Sequence, residues 1–218
     1  MALDASQETE QIRTWTGDFG REYTDRNTYS PAELDEFYCR QYGITRTNLN
    51  QRLLDGVPRD ARILEVGCNT GMQLLVLEKM GFTNLYGIEV QSYALDRARH
   101  WIPGATLTEA SAFAIPYTDR FFDLIFTSGV LIHIAPVDLP AALAEIHRCS
   151  HQWIWGFEYY AQETTELAYR GRTSLLWKTD YARAYMQNFP NLELVREERF
   201  RYLENENVDS AFLLRRTA

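Results

Sequence analysis

From Ala61 onward, short apolar runs alternate with longer amphipathic stretches. The run Ile63-Leu64-Glu65-Val66 reads as a buried parallel strand. A glycine-bounded turn, Gly67-Cys68-Asn69-Thr70-Gly71, leads into Met72 to Met80, where Leu74, Leu75 and Leu77 are placed for helix burial and Gly81 supplies a stop. A second apolar strand, Leu85-Tyr86-Gly87-Ile88, ends on Glu89. The same alternation predicts a helix over 92–100 that stops at Pro103-Gly104, strands near 105–109 and over 122–127, and a helix from Asp138-Leu139-Pro140 to about Arg148. A fifth strand covers Trp153 to Phe157, and residues 161–178 read as irregular. A last helix over 181–188 precedes two strands, Leu192 to Tyr202 and Ala211 to Arg215.

Ahead of this pattern, residues 1–6 read as a loose end, and the aromatic-bearing stretch from Glu8 to Asn27 is too glycine-interrupted for one plain helix. Ser30-Pro31-Ala32-Glu33 is a strong helix start, with a Ser cap, a proline in the first turn and a Glu three residues on. That helix is expected to reach Gln41, and another to run from Thr45 to Leu54 before Gly56 and Pro58. The expected organisation is a helical lid or cap over residues 1–60 and an α/β domain over 61–218, compact as one unit. Alternating strands and helices predict a doubly wound, mainly parallel, seven-stranded sheet. Only the short polar turn Glu204-Asn205-Glu206-Asn207 separates the last two strands, too little for a parallel crossover, so the last strand is antiparallel.

The composition, with 45% hydrophobic and 24% charged residues in 218, is ordinary for a soluble globular chain. A formal charge of −8 without a basic block excludes a phosphate-neutralising nucleic-acid surface. No apolar run is long enough for a membrane span, and no signal-peptide core is seen. Cys39, Cys68 and Cys149 are odd in number and far apart, which points to a reducing cytoplasm.

The chemistry concentrates between Glu65 and Glu89. Gly67 and Gly71 let backbone come close to a ligand, the following helix aims free N–H groups at it, and Glu89 stands where an acceptor would grip ribose hydroxyls. A dinucleotide fingerprint requires glycine at the third and sixth places of the turn, where this chain has Asn69 and Met72. The pattern Glu65-x-Gly67-x-x-x-Gly71 instead resembles motif I of class I S-adenosylmethionine (SAM)-dependent methyltransferases, whose cofactor carries no phosphate. The closing antiparallel hairpin is a second point of likeness to that Rossmann-like fold.

Further residues resemble one branch of those enzymes, the methylases associated with pseudaminic acid biosynthesis. They are Trp15-x-Gly17-x-Phe19-Gly20-x-x-Tyr23-x-x-Arg26-Asn27, Gly129-Val130-Leu131-Ile132-His133-Ile134, Arg148-Cys149-Ser150, Glu158-Tyr159-Tyr160, and Tyr169-Arg170-Gly171 with Lys178 and Asp180. The resemblance implies SAM over Gly67 to Gly71, including Asn69, with Glu65, Glu89 and Val90 around the turn. It implies adenine near Ser111-Ala112 and Thr127 and Ser128 beside the methionine part. Trp15, Tyr23, Arg26 and Asn27 would fold over the cofactor, with Arg26 a candidate partner for its carboxylate. His133 and Glu158 are the candidate catalytic groups, and Tyr159, Tyr160, Tyr169 and Arg170 the candidate acceptor contacts. If His133 is the base, the rate should rise with pH through the histidine range. The implied acceptor is a small polar metabolite, such as an amino sugar, a sugar acid or a nucleotide sugar, or another small amine.

Plainer readings stand beside these. Glu65 could only cap its turn, His133 could be a core histidine between Ile132 and Ile134, and Arg170 and Arg172 could belong to a solvated loop. Trp15, Phe19 and Tyr23 could be one helix face against the core. His147-x-Cys149-x-His151 has no fourth ligand nearby, so no metal is expected. A SAM-binding protein without catalysis and an NAD-dependent oxidoreductase remain as other classes.

Overall fold

The computed structural model describes residues 9–217, so the predicted loose end at residues 1–6 lies outside the described residues. Four helices come first: α1 (Glu10–Thr16), α2 (Asp18–Arg26), α3 (Pro31–Tyr42) and α4 (Arg46–Leu53). Strands and helices then alternate through β1 (Arg62–Val66), α5 (Met72–Lys79), β2 (Asn84–Glu89), α6 (Ser92–Trp101), β3 (Thr106–Glu109), β4 (Phe122–Ser128), α7 (Leu139–Cys149) and β5 (Ser150–Tyr159). A small hairpin of β6 (Thr165–Glu166) and β7 (Trp177–Lys178) precedes α8 (Tyr181–Asn188), β8 (Leu192–Arg201) and β9 (Val208–Arg216).

Local chemistry sets the helix starts. Ser30 Oγ accepts from the Glu33 N–H at 3.3 Å while the Glu33 carboxylate accepts from the Ser30 N–H at 2.7 Å, so the capping box forms in full. Thr9, Thr45 and Asp180 cap α1, α4 and α8 in the same side-chain-to-backbone way. Between α1 and α2 the backbone extends at Gly17, so the glycine-interrupted stretch forms two helices and not one. Gly20 then lets α2 pass so close to the Trp15 carbonyl that an added Cβ would stand 1.8 Å from its oxygen.

The main sheet has seven strands in the order β3-β2-β1-β4-β5-β9-β8. Pairings are parallel from β3 to β5, and β9 runs antiparallel to both β5 and β8. Each sheet face has its own core. On one, Leu49, Leu53, Leu74, Leu77 and Leu95 from α4, α5 and α6 meet Ile63, Leu124 and Trp155. On the other, Leu143, Ile146, Tyr181 and Tyr185 from α7 and α8 meet Leu64, Ile125, Ile154 and Phe212. Each such side chain contributes about 1.5–3 kcal/mol by leaving water, so two full layers hold the carboxyl edge of the sheet rigid.

Two differences from the sequence pattern have plain causes. Strand β5 begins at Ser150, because Ser150 pairs with Phe122 ahead of a register shift, although Ser150-His151-Gln152 carries no apolar alternation. Residues 161–178 are not wholly irregular. Thr165 pairs with Lys178 and Glu166 with Trp177, and Leu175, Leu176 and Trp177 are buried. A hairpin held by so few pairs leaves no periodic trace.

Candidate active site

The carboxyl ends of β1, β2 and β4 and the residues after β3 converge under α1 and α2. They enclose a cavity with about 1200 Å³ of empty space, its mouth included. Its floor is the turn after β1. Gly67 is left-handed at φ 71°, and a Cβ there would lie 2.6 Å from Val130, so the turn admits no side chain where it meets the loop after β4. Asn69 is left-handed as well, at φ 46°, a conformation that a short polar side chain tolerates.

Glu89 lines the cavity and organises this turn. Its Oε2 accepts from the Asn69 N–H at 2.9 Å, and its Oε1 from the Val90 and Gln91 N–H groups at 2.8 and 2.9 Å. A carboxylate has about four acceptor positions, so one, on Oε2, remains for a ribose hydroxyl. Burial raises the Glu89 pKa, against the pull of these N–H groups. Val90, Ser111, Ala112 and Ser128 line the same space, and Ser111 Oγ accepts from the Phe113 N–H at 3.1 Å. Glu65 is buried and lines the cavity, with Oε2 unpartnered. Burial raises its pKa well above the ordinary carboxylate value, opposed by Arg46 and by an N–H bond from Leu74 at the start of α5. Glu65 therefore caps a helix and still has one oxygen free.

The roof comes from α1 and α2, which bring Trp15, Tyr23 and Asn27 onto the cavity. Trp15 packs edge-on against Phe19 and Tyr23 at 5.4 and 5.1 Å and lies 4.5 Å from the ring of His133. These contacts reach across the cavity, so this is no simple helix face on the core. His133 sits in the short 3₁₀ turn after β4. Its Nδ1 is 2.7 Å from the Leu175 carbonyl and must donate there, which leaves Nε2 as the lone-pair nitrogen of a neutral ring. Burial pushes its pKa down to about 4, only partly offset by that bond. A shift of that direction keeps the ring neutral through the ordinary histidine range, against the expected rise in rate there.

Several expected residues stand elsewhere. Gly71 does not line the cavity; it is left-handed at φ 75° as the cap of α5, and its missing Cβ faces Ile102. Arg26 lies off the cavity, exposed on α2 with Glu22 at 3.5 Å, while Tyr23 and Asn27 line it. Thr127 is buried and bonds Glu158. Glu158 is buried beneath the loop, where it accepts from the Val130 and Ile132 N–H groups at 3.2 and 3.4 Å, and burial raises its pKa to about 7. It holds the loop that carries His133 and does not line the cavity. Tyr160 lies under the Arg199 guanidinium, 3.4 Å from its ring centroid. Tyr159 lies beside Tyr202 and Lys178. Tyr169 packs 5.4 Å from His133 and 6.0 Å from Phe19, at the rim, and exposed Arg170 lies over the outer side of that ring.

Other residues of the site were not read from the sequence. Gln91 donates to the Trp15 and Gly17 carbonyls at 3.0 and 3.1 Å and ties the roof to the end of β2. Gln11 donates to the Ser174 carbonyl at 3.0 Å and ties it to the hairpin. Arg46, fully buried, donates to Tyr38 Oη at 2.8 Å and to Ser128 Oγ at 3.1 Å. Its signal was its place with Leu49, Asn50 and Leu53 on one buried stripe of α4. Among the described residues no His, Cys, Asp and Glu group could hold a metal ion, and no helix is long and apolar enough to cross a membrane. His147 is 3.0 Å from Asn191 and stacks on Phe189.

Known proteins share this architecture. A Burkholderia thailandensis 1,6-didemethyltoxoflavin-N1-methyltransferase, solved with its substrate and S-adenosylhomocysteine, superposes with a TM-score of 0.73 at 17% identity, over 99% of this chain and 94% of that one. The magnesium protoporphyrin IX methyltransferase of Synechocystis, solved with SAM, gives 0.71 at 10% identity over 97% and 99%. At such identities the likeness is one of fold, the fold that these two methyltransferases share. In sequence, an uncharacterized methyltransferase of Synechocystis is 30% identical over 87 residues, 40% of this chain and 41% of that one. The chain thus spans about two fifths of the length of the curated relatives it matches. Residues 64–152, from β1 through the glycine turn to the start of β5, match the family model of a methyltransferase domain.

Proposed function

We propose that this chain is a SAM-dependent methyltransferase that acts on a small molecule. The carrying observation is the cavity itself, where the turn after β1, the Glu89 carboxylate and the Ser111-Ala112 edge meet beneath an aromatic roof. The donor set fits the cofactor: Glu89 keeps an acceptor position for a ribose hydroxyl, and Glu65 presents a buried, unpartnered oxygen that suits an ammonium. Asn69 and the absence of a glycine at position 72 argue against a pyrophosphate and so against NAD.

Bound SAM supplies an electrophilic methyl sulfonium, so the protein's share is alignment and the exclusion of water. Trp15 and Tyr23 close the roof, and Gln91 and Gln11 hold it down. His133 Nε2 accepts a hydrogen bond from the acceptor and orients it. Glu158 acts one layer back, by fixing the loop that carries His133. The cap is narrower than the expected 1–60: α1 and α2 form it, while α3 and α4 pack on the sheet with the cofactor-binding body of 61–218.

The sequence resemblance favours an amino sugar or a sugar acid as acceptor, and a chamber with His133 and Tyr23 on its wall and Tyr169 at its rim is in keeping with a small acceptor that offers hydroxyls or an amine. Titration calorimetry with SAM, S-adenosylhomocysteine and NAD tests the cofactor: the first two should bind and the third should not. A screen of amino sugars, sugar acids and small amines with methyl-labelled SAM tests catalysis. Tight SAM binding with no labelled product from any of them would favour a binding protein instead.

A further inference from the structure

Among the described residues, no lysine or arginine lines the cavity. A zwitterionic ligand end therefore meets one obvious partner, the Glu65 carboxyl, and no obvious cation. Directly behind the wall stands Arg46. Its guanidinium is enclosed by the rings of Tyr38, Trp155 and Phe157 at 5.2, 4.8 and 5.3 Å. Its hydrogen bonds go to two neutral hydroxyls, Tyr38 Oη and Ser128 Oγ, while Nε and Nη2 have no partner. A fully buried guanidinium without a hydrogen-bonded anion is costly; the carboxyls of Glu65 and Asp209 are near enough to feel its charge, but neither is bonded to it.

Ser128 is the link. Its oxygen accepts from Arg46 Nη1 at 3.1 Å and the residue lines the cavity, so its own hydroxyl proton is free to turn toward the cavity. A hydroxyl whose oxygen is polarised by a guanidinium is a strengthened donor. Glu65 flanks the same floor with its free Oε2, close enough to Arg46 to feel its charge. The wall thus presents an acceptor and a positively backed donor beside each other, the arrangement that an α-amino acid requires.

We propose that Glu65 and Arg46 together recognise the amino-acid end of the cofactor, Glu65 taking the ammonium and Arg46, acting through Ser128, the carboxylate. This rests on the SAM reading above, and it replaces Arg26 in the role that the sequence resemblance gave that residue. Arg46 is a positioning residue, since Ser128 is the group that touches the ligand.

Calorimetry with two probes isolates the effect. Decarboxylated SAM keeps the ammonium and the sulfonium and lacks only the carboxylate; 5′-methylthioadenosine lacks the whole amino-acid end. The wild type should bind SAM about ten- to a hundredfold more tightly than decarboxylated SAM, the range of one or two charge-assisted hydrogen bonds. Arg46→Met and Ser128→Ala should each erase most of that ratio and leave methylthioadenosine binding unchanged, with Arg46→Lys recovering part of it. Glu65→Gln should narrow the gap between decarboxylated SAM and methylthioadenosine. A wild type that binds SAM and decarboxylated SAM alike overturns the proposal, as does an Arg46→Met variant that weakens all three ligands equally. A wild type that binds none of them overturns the cofactor reading instead. Thermal melts check folding, and if Arg46→Met does not fold, Ser128→Ala decides the question on an intact core.

Discussion

The two halves of the cavity are made by different means. The half at the ends of β1 and β2 is built by backbone. Glu89 accepts three N–H groups from residues close to it in the turn and along the chain, and Gly67 is bare so that the loop after β4 can lie on it. The half at the end of β4 is built by side chains from distant segments. Trp15 reaches His133, His133 donates to Leu175, Gln11 donates to Ser174, and Arg46 donates to Ser128. A backbone-built site serves one constant ligand. A site assembled from long-range contacts varies with every loop, which is how one fold accepts different acceptors.

The largest expected effect tests the backbone half. Gly67→Val should abolish SAM binding, because the left-handed φ of 71° and Val130 2.6 Å from the new Cβ together leave the turn no way to keep its shape. Gly71→Val, against Ile102 and off the cavity, should lower the melting temperature and leave measurable affinity in the protein that folds. Calorimetry beside thermal melts separates the two, and equal loss of binding in both variants would erase the distinction between a cavity glycine and a packing glycine.

In the side-chain half, His133→Ala should lower kcat by up to about 10²-fold once an acceptor is in hand, the cost of a misplaced acceptor. SAM affinity should stay close to the parent's. The pH profile is the sharper readout. With the His133 pKa pushed down to about 4 by burial, the ring is already neutral at pH 6, so its own titration adds no rise in rate between pH 6 and 8. A parent profile that climbs with an apparent pKa near 6.5, and loses the climb in His133→Ala, would show that the ring is charged in the resting enzyme and that burial does not govern it.

Glu89→Ala should cost less. Loss of one ribose bond of about 1.5–3 kcal/mol weakens SAM and S-adenosylhomocysteine alike by about tenfold or more. The freed Asn69, Val90 and Gln91 N–H groups should also exchange faster with solvent, seen by hydrogen exchange without any ligand. Weaker binding with unchanged exchange would mean that the turn holds its shape without the carboxylate.

The same contrast explains what could be read from the chain. The span from Ile63 to Glu89 was legible because its signals are local: an apolar run, glycines at a fixed spacing, an acid at the end of the next strand. The capping box at Ser30 and the break at Gly17 were legible for the same reason. Arg46 was not read, because its one local signal, the spacing it shares with Leu49, Asn50 and Leu53 in the polar helix RTNLNQRL, does not say that rings from β5 and α3 will enclose it. Arg26, Tyr160 and Glu158 were drawn to the site by sequence neighbourhood, yet a helix face or one strand alternation sends a neighbour the other way. The hairpin at 165–178 was hidden because so few of its residues pair.

The smallest effect sets one carboxyl from each half against the other. Glu89 and Glu158 both stand at strand ends and both accept backbone N–H groups, but those to Glu89 are short, at 2.8–2.9 Å, while the Val130 and Ile132 N–H groups of the next loop reach Glu158 at 3.2 and 3.4 Å. Long bonds and full burial favour the neutral form, which accords with a Glu158 pKa raised to about 7 by desolvation. A carboxyl that titrates at 4.5 when unfolded and near 7 when folded binds its proton more tightly in the native state. Its contribution to stability is therefore full below about pH 4.5 and is lost as the pH rises toward 7, at most about 3 kcal/mol from the linkage relation. Asp209, raised from 3.8 to about 6 by burial, adds a slope of the same sign between those two values. The melting temperature should accordingly fall by several degrees between pH 5 and pH 7.5. In Glu158→Gln the Glu158 part of that slope should vanish, leaving a constant penalty, because the amide offers one acceptor where Val130 and Ile132 need two. A variant whose melting temperature tracks the parent's at every pH would show that Glu158 is ionised in the fold, and that the two carboxyls, for all their difference in geometry, are held alike.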